Sequence, residues 1–179
     1  DNFLDLSSGG AHYSIPVSVL EGRAGLTPSV SLSYRSTHEN GYLGAGWSLI
    51  AAGSVRRYAP RNGVPEYADT DIFNISCPVA RGELVLDPDN NDGDHFRTKS
   101  DSLVRIVRDR SANSWTVTAR DGTAYAFGGS PTKLLTRGTN TFSDTNEWFL
   151  ARITAPPPFN SNEILFEWIF SSDELPRLG

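Results

Sequence analysis

The segment from Gly9 to Tyr58 constrains the fold more than any other part of the chain, because it joins two alternating strands to a glycine-tryptophan turn. The first strand has four apolar residues on one face: Tyr13, Ile15, Val17 and Val19. The second repeats this pattern with Val30, Leu32 and Tyr34. Alternation with period two predicts half-buried β-strands. The turn GYLGAGWSL follows, and we expect its Trp47 to be a buried packing anchor.

Further strand signals continue to the end of the chain. Trp115 to Phe127 reads as a hairpin, because Asp121-Gly122 is a favoured pair for a two-residue type I′ turn. That turn would pair Arg120 with Thr123 and place Trp115 on the face of the alanines in the second strand. Both faces of the hairpin would then be partly apolar, and we expect both to be covered.

Two other segments carry secondary-structure predictions. Ser100 to Arg110 has helical spacing of its apolar residues, yet its β-branched run Leu103 to Val107 equally suits a strand, and we take it as a strand. Near the end, a strongly alternating strand is predicted from four residues: Ile164, Phe166, Trp168 and Phe170.

Composition limits the class of protein. A length of 179 residues makes one domain, residues 1–179, the default expectation. The net charge of −5 argues against a nucleic-acid surface, and no apolar run is long enough to span a membrane. The single cysteine, Cys77, excludes an internal disulfide framework and leaves the redox compartment undecided. Because the sequence contains no methionine, we expect it to be a processed product or a fragment of a longer protein.

The order of these elements resembles the N-terminal domain of the SpvB family, which includes the B components of Tc-type toxin complexes and some Rhs/YD-repeat proteins. The matching segments are Ile15-Pro16, Pro28 to Tyr34, Asn40 to Leu49, Val55 to Arg57, Asp121 to Gly128 and Trp148 to Ile153. After Ile153 the family commonly reads D-x-x-G-N, whereas this chain reads TAPPPFN.

The resemblance implies a structural role. In that family the B component joins its C partner in a hollow shell around a cytotoxic segment, and it docks through a propeller onto a translocating component. The ADP-ribosyltransferase activity of some members belongs to a separate C-terminal domain with an E-x-E motif, which this sequence lacks. The resemblance therefore implies wall-building and assembly in a secreted virulence protein, with other segments or subunits as partners.

The best ligand candidate in the sequence is an acidic loop whose oxygen donors have the spacing of calcium loops: Asp87, Asp89, Asn91, Asp92 and Asp94. An EF-hand would need glycine in place of Asp92 and glutamate in place of Thr98. A solvated turn rich in Asx residues is the alternative interpretation.

The remaining residues nominate no catalytic or cofactor-binding site. The glycines from Gly41 to Gly46 lack the strand-to-helix context of a phosphate loop, and the three histidines lie far apart in the sequence. Trp115, Trp148 and Trp168 could stack on sugars, which keeps a carbohydrate-binding module as the alternative function, although their strand placement favours core packing.

These observations lead to one expectation. The chain should be an all-β domain of antiparallel sheets, arranged as a sandwich or as a segment of a larger β-shell. We expect it to be an extracellular, non-catalytic scaffold without a cofactor, apart from the calcium that the acidic loop could hold.

Overall fold

A computed structural model describes residues 2–5, 10–20, 22–23, 26–28, 30–37, 40–41, 43–49, 53–60, 63–68, 70–90, 92–100, 103–130, 134–139 and 141–168. The chain divides into two compact units, Asp1–Ala52 and Gly53–Gly179, called here the N-terminal unit and the barrel unit. That the two behave as one domain stays a prediction.

The N-terminal unit is built from short antiparallel strands. Six are described: β1 Asn2–Asp5, β2 Gly10–Val17, β3 Val30–Arg35, β4 Asn40–Gly41, β5 Gly44–Ala45 and β6 Trp47–Leu49. Four of them form a sheet in the order β1-β2-β3-β6, and β4 pairs with β5. The two alternating strands predicted from the sequence are therefore confirmed as β2 and β3.

The glycine-tryptophan turn brings β6 back onto β3. Gly46 has a φ of +76°, and a Cβ atom there would lie 2.7 Å from the carbonyl oxygen of Arg35, so only glycine fits. Trp47 then packs on Tyr34, with the ring centroids 5.3 Å apart. Trp47 is only half-buried, however, because its sheet face is partly open to solvent. The prediction that it is a buried anchor is wrong.

The barrel unit is also antiparallel β-structure. Its strands are β7 Ser54–Tyr58, β8 Ile72–Cys77, β9 Ala80–Leu86, β10 His95–Thr98, β11 Arg105–Asp109, β12 Ser114–Thr118, β13 Ala124–Gly128, β14 Leu134–Thr136, β15 Thr145–Thr154 and β16 Glu163–Leu165. Eight of them follow one another from β13 through β12, β11, β10, β9, β8 and β7 to β15. Because β13 also pairs with β15, these eight strands close into a barrel. The all-β, antiparallel prediction is confirmed.

Strand β15 completes the barrel. It is ten residues long, and its first half pairs with β7 and β14 while its second half pairs with β13 and β16. Eight of its ten residues are buried, as its burial pattern shows. Both faces of β15 are covered along most of its length, so residues on both faces are buried, including the continuous run from Trp148 to Ala151.

The β12–β13 hairpin has a different register from the predicted one. Ala119 donates its N–H to the Thr123 carbonyl, so the loop has three residues, and Gly122 at φ +91° occupies its left-handed position. This arrangement suits a type I turn followed by a glycine bulge. Trp115 therefore pairs with Phe127. A shift of one residue moves every side chain to the other face, so the aromatic residues share the buried face and the predicted distribution is wrong.

Two uncertain segments are settled by the backbone. β11 confirms the strand interpretation for part of Ser100 to Arg110. The predicted strand from Ile164 is shorter than expected, since β16 ends at Leu165, and Phe170 lies outside the described residues. Trp168 nevertheless packs on the barrel, because its ring lies 4.7 Å from that of Phe149 and its Nε1 donates to the Leu150 carbonyl.

Candidate functional site

Aromatic rings fill the interior of the barrel. Five of them pack with centroid separations between 5.0 and 6.2 Å: Phe73, Phe96, Trp115, Phe142 and Trp148. Four lie on strands whose period-two pattern turns them inward. Phe142 instead belongs to the 3₁₀ turn Phe142–Asp144, which precedes β15 and brings its ring against the other four.

Three arginines surround the Phe142 ring and form what we call the arginine collar: Arg57, Arg108 and Arg110. Their guanidinium carbons lie 5.3, 5.1 and 5.6 Å from the ring centroid. At these distances a guanidinium is attracted to the face of an aromatic ring. The collar therefore places positive charge directly beside an apolar core.

Arg57 and Arg108 are both buried, and Arg57 is the member of the collar that holds the 3₁₀ turn. Its Nη1 and Nη2 donate to the carbonyls of Ser143 and Phe142, at 3.2 and 2.9 Å, which fixes the 3₁₀ turn to β7. Nη1 also lies 3.6 Å from Asp71 Oδ2, and both side chains are buried. Burial lowers the pKa of Arg57, although the charge of Asp71 opposes that change. Asp71 in turn accepts hydrogen bonds from the backbone N–H groups of Glu66 and Ala68.

The other two members of the collar share one carboxylate. Arg108 Nε and Arg110 Nε donate to Asp94 Oδ1, at 2.7 and 3.1 Å. Arg108 also donates to the Gly93 carbonyl. Desolvation raises the pKa of Asp94, but the hydrogen bonds from the two guanidinium groups outweigh it and leave that pKa below the usual range.

A cavity of about 410 Å³ adjoins the collar. It is lined by Arg57, Tyr67, Ala68, Asp71, Ile72, Phe73, Leu84, Leu86, Gly93, Phe96, Arg108, Arg110, Phe142 and Ser143. Two buried polar atoms on these residues, Arg57 Nε and Tyr67 Oη, have no hydrogen-bond partner within the described part of the chain. Sequence reasoning missed this site, because its residues come from positions 57 to 143.

The acidic loop has its own hydrogen bonds. Asp87 accepts from the Asp89 N–H at 3.1 Å, and Asp92 accepts from the N–H of Asp94 at 3.0 Å and from His95 Nδ1 at 2.6 Å. The backbone N–H of Asp94 is the main reason that the pKa of Asp92 is lowered. These carboxylates are thus satisfied within the loop.

The structure does not gather the predicted calcium ligands. Asp94 faces Arg108 and Arg110, Asp92 faces His95, and Asn91 lies outside the described residues. Across the part of the chain that is described, no three His, Cys, Asp or Glu side chains are grouped as a metal site. Calcium binding at Asp87, Asp89, Asn91, Asp92 and Asp94 stays a prediction.

Two histidines and the cysteine are hydrogen-bonded or buried in the structure. His95 Nε2 lies 3.2 Å from the Arg105 guanidinium, a donor, so this nitrogen accepts and Nδ1–H donates to Asp92. His12 contacts Ser33 Oγ at 3.3 Å. Burial raises the pKa of the Cys77 thiol, which keeps it protonated and unreactive.

The tryptophans proposed as sugar platforms belong to the core. Trp115 and Trp148 are 0% exposed, which confirms the core-packing interpretation. Trp148 Nε1 also donates to Asn113 Oδ1 at 2.8 Å inside the barrel. Trp168 is half-buried against Phe149.

A second candidate surface lies on the N-terminal unit and is called here the apolar sheet face. Paired positions bring eight apolar side chains to one side of β2, β3 and β6: Tyr13, Ile15, Val17, Val30, Leu32, Tyr34, Trp47 and Leu49. Tyr13, Ile15, Val17 and Leu49 are 42, 37, 41 and 38% exposed. The opposite side of the same strands carries serines, including Ser14, Ser31 and Ser33. An exposed apolar face of this kind is a candidate interaction site.

The family model that matches this chain covers parts of both units. Residues 6–107, more than half of the chain, match the family model for the Salmonella virulence plasmid 65 kDa B protein, SpvB. The chain belongs to the SpvB family. The match includes the β2–β3 sheet, the glycine-tryptophan turn and the barrel as far as the first part of β11, so the family likeness covers the apolar sheet face and, of the collar, Arg57 alone. No curated protein sequence gives a significant match to this SpvB-family chain.

Solved structures share its fold. The N-terminal domain of the effector SpvB from Salmonella typhimurium strain LT2 is 20% identical, with a TM-score of 0.63 over 92% of this chain and 58% of that one. TcdB2-TccC3 is 24% identical, with a TM-score of 0.61 over 87% of this chain and 8% of that one. The Photorhabdus luminescens Tc holotoxin pore gives 23% identity and a TM-score of 0.60, over 82% and 7%.

These comparisons also define what part of its relatives the chain represents. This SpvB-family chain spans 58% of the SpvB structure and less than a tenth of the Tc toxin chains. Within its described residues, no helix is long and apolar enough to cross a membrane.

Proposed function

We propose that this SpvB-family chain is a non-catalytic structural domain of a secreted toxin-type protein, and that it contributes to the wall and the assembly of a larger shell. The observation that carries the proposal is the apolar sheet face. In TcdB2-TccC3 the similar fold accounts for 8% of the chain, so most of that chain lies outside this fold. An apolar β-surface from elsewhere in such an assembly is the occupant that we propose for the face.

Two features of the barrel support a structural role. Its interior is packed with aromatic rings, and its one histidine, His95, is hydrogen-bonded while its cysteine is buried. The carbohydrate-binding alternative needs exposed aromatic platforms, yet Trp115 and Trp148 are fully buried. No observation favours that alternative, and calcium is not needed for the proposed role.

The apolar sheet face gives the proposal a direct test. In the isolated chain the face lacks its proposed cover, so we expect self-association that increases with concentration in sedimentation velocity experiments. Ile15→Asp places a charge on the face and should reduce the association. Ser14→Asp is the matched control, because it adds the same charge to the opposite side of the same strand. A wild-type chain that stays monomeric at the highest concentration would contradict the proposal.

A further inference from the structure

Strand β16 lies outside the closed barrel, and among the described strands it pairs only with β15. A closed barrel has no sheet edge, so this additional strand creates one. The register of β16 determines which of its backbone groups reach that edge. Phe166 donates its N–H to the Ala151 carbonyl, and Ala155 donates to the Asn162 carbonyl, each at 3.0 Å. Residues 162, 164 and 166 therefore direct their backbone groups toward β15.

The intervening residues of β16 direct their backbone groups away from β15. Glu163 and Leu165 lie opposite Thr154 and Arg152, at the positions of the ladder that exchange no hydrogen bonds. Their N–H and C=O groups therefore point outward, and no hydrogen bond satisfies them within the residues that the structure describes. A row of unpaired backbone groups on an extended strand is a template to which another strand can add.

The side chains along this edge indicate what kind of strand it accepts. Glu163, Leu165 and Glu167 project from the exposed outer face, whereas Ile164 is half-buried on the inner face. Glu163 accepts a hydrogen bond from Arg152 at 3.3 Å, but Glu167 has no ion pair in the described part of the chain. Opposite charges side by side stabilise neighbouring strands. A strand with basic residues on its outer face and apolar residues on its inner face therefore complements the edge.

A second copy of the chain is a poorer occupant of the edge. Antiparallel pairing of two β16 strands centred on Leu165 would place Glu163 of each copy opposite Glu167 of the other. Like charges directly opposite each other destabilise a strand pair. The net charge of −5 adds to the repulsion between copies and attracts a basic partner instead. The edge therefore suits a different, positively charged segment.

We propose that the β16 edge binds an extended, basic segment of another protein by strand addition. This gives the chain a second interaction surface, separate from the apolar sheet face. The backbone groups of Glu163 and Leu165 supply the hydrogen bonds, and the carboxylates of Glu163 and Glu167 select basic side chains. The added strand lies beside β16 and leaves the Leu165 side chain on the outer face.

Fluorescence anisotropy with the whole chain tests this proposal. The probe is a dye-labelled hexapeptide of alternating lysine and valine, and the same peptide with glutamate in place of lysine is the charge control. A third peptide keeps the lysines but has every backbone amide N-methylated, which removes the donors for strand pairing. We expect the unmodified lysine peptide to bind roughly tenfold or more tightly than either control. A methylated peptide that binds equally well would contradict strand addition, because charge alone would then explain the binding.

Variants connect binding to the edge. Leu165→Pro removes an outward N–H without breaking a hydrogen bond to β15, and its ring obstructs an added strand, so binding should weaken roughly tenfold. Glu167→Lys should also weaken binding, whereas Glu83→Lys on β9 makes the same change in net charge away from the edge and is the matched control. Far-UV circular dichroism checks that each variant is folded.

Two results would overturn the proposal: no binding of the lysine peptide, or equal affinity of the wild type and Leu165→Pro. Ile15→Asp, which tests the scaffold proposal on the N-terminal unit, should leave peptide binding unchanged. The two proposals can therefore fail separately.

Discussion

Replacement of Trp148 by alanine is expected to lower the free energy of unfolding by about 3–5 kcal/mol. Trp148 is 0% exposed, and its ring lies 5.1 Å from that of Phe142 and 5.8 Å from that of Trp115. Its removal leaves a cavity in the barrel and also leaves the Asn113 amide oxygen without the indole N–H that it accepts. Urea denaturation followed by far-UV circular dichroism measures the loss.

Trp47→Ala is the informative comparison for this variant. Trp47 is half-buried on the apolar sheet face, so water already reaches part of its ring. Its replacement by alanine should therefore lower the free energy of unfolding clearly less than Trp148→Ala does. Leu165→Ala, at a position 70% exposed, should change stability little. A Trp148→Ala chain that unfolds at the same urea concentration as the wild type would contradict the aromatic core described here.

Replacement of Arg57 by methionine is the second substitution with a large expected effect. It removes the partner of Asp71, whose side chain is fully buried, and it releases the carbonyls of Phe142 and Ser143. Breaking one side of a buried ion pair typically costs about 3–5 kcal/mol, because the remaining charge is uncompensated. The same denaturation measurement applies.

A double variant separates the ion pair from the packing of Arg57. If the unpaired charge of Asp71 causes the loss, Arg57→Met with Asp71→Asn should be less destabilised than the sum of the single changes. Arg152→Met is the control on an exposed pair, Arg152 and Glu163, and should cost no more than about 1 kcal/mol. An Arg57→Met chain as stable as this control would refute the structural role of the buried pair.

Local pattern was sufficient to predict that the chain is β-structured, but not how its strands are aligned. Alternation predicted β2 and β3, and the Asp121-Gly122 pair predicted the β12–β13 hairpin. The Asp121-Gly122 pair suits both a two-residue turn and the three-residue loop that forms, because each places glycine at positive φ. The choice between them depends on burying Trp115, Val117, Tyr125 and Phe127 together, which is a tertiary effect.

The arginine collar shows a second limit of sequence reasoning. Barrel closure brings together residues from β7, β11 and the turn before β15, and no local pattern encodes that closure. One signal was present: period two places Arg57 on the same face as Val55, so an inward arginine on a buried strand was already predictable. Its partner Asp71 lies in an irregular segment and could not be paired with it in advance.

The apolar sheet face was predicted only in part. The alternation of β2 indicated one apolar face, and the structure confirms which residues share it. Sequence cannot tell whether such a face is covered by the chain itself or by another protein, because both cases select the same residues. The exposed fractions of Tyr13, Ile15 and Val17, which only the structure supplies, indicate that the chain itself leaves this face partly uncovered.

Thiol labelling tests the central claim, that this face is covered in a larger assembly. Cys77 is the single cysteine and is buried, so Ile15→Cys creates one reactive thiol on the face, and Leu165→Cys provides an exposed control on the barrel unit. Maleimide labelling rates are compared in the isolated chain and in the longer toxin-type protein that we propose to carry it. We predict that Ile15→Cys reacts rapidly in the isolated chain and is protected in the longer protein, whereas equal rates in the two would contradict the proposed scaffold role.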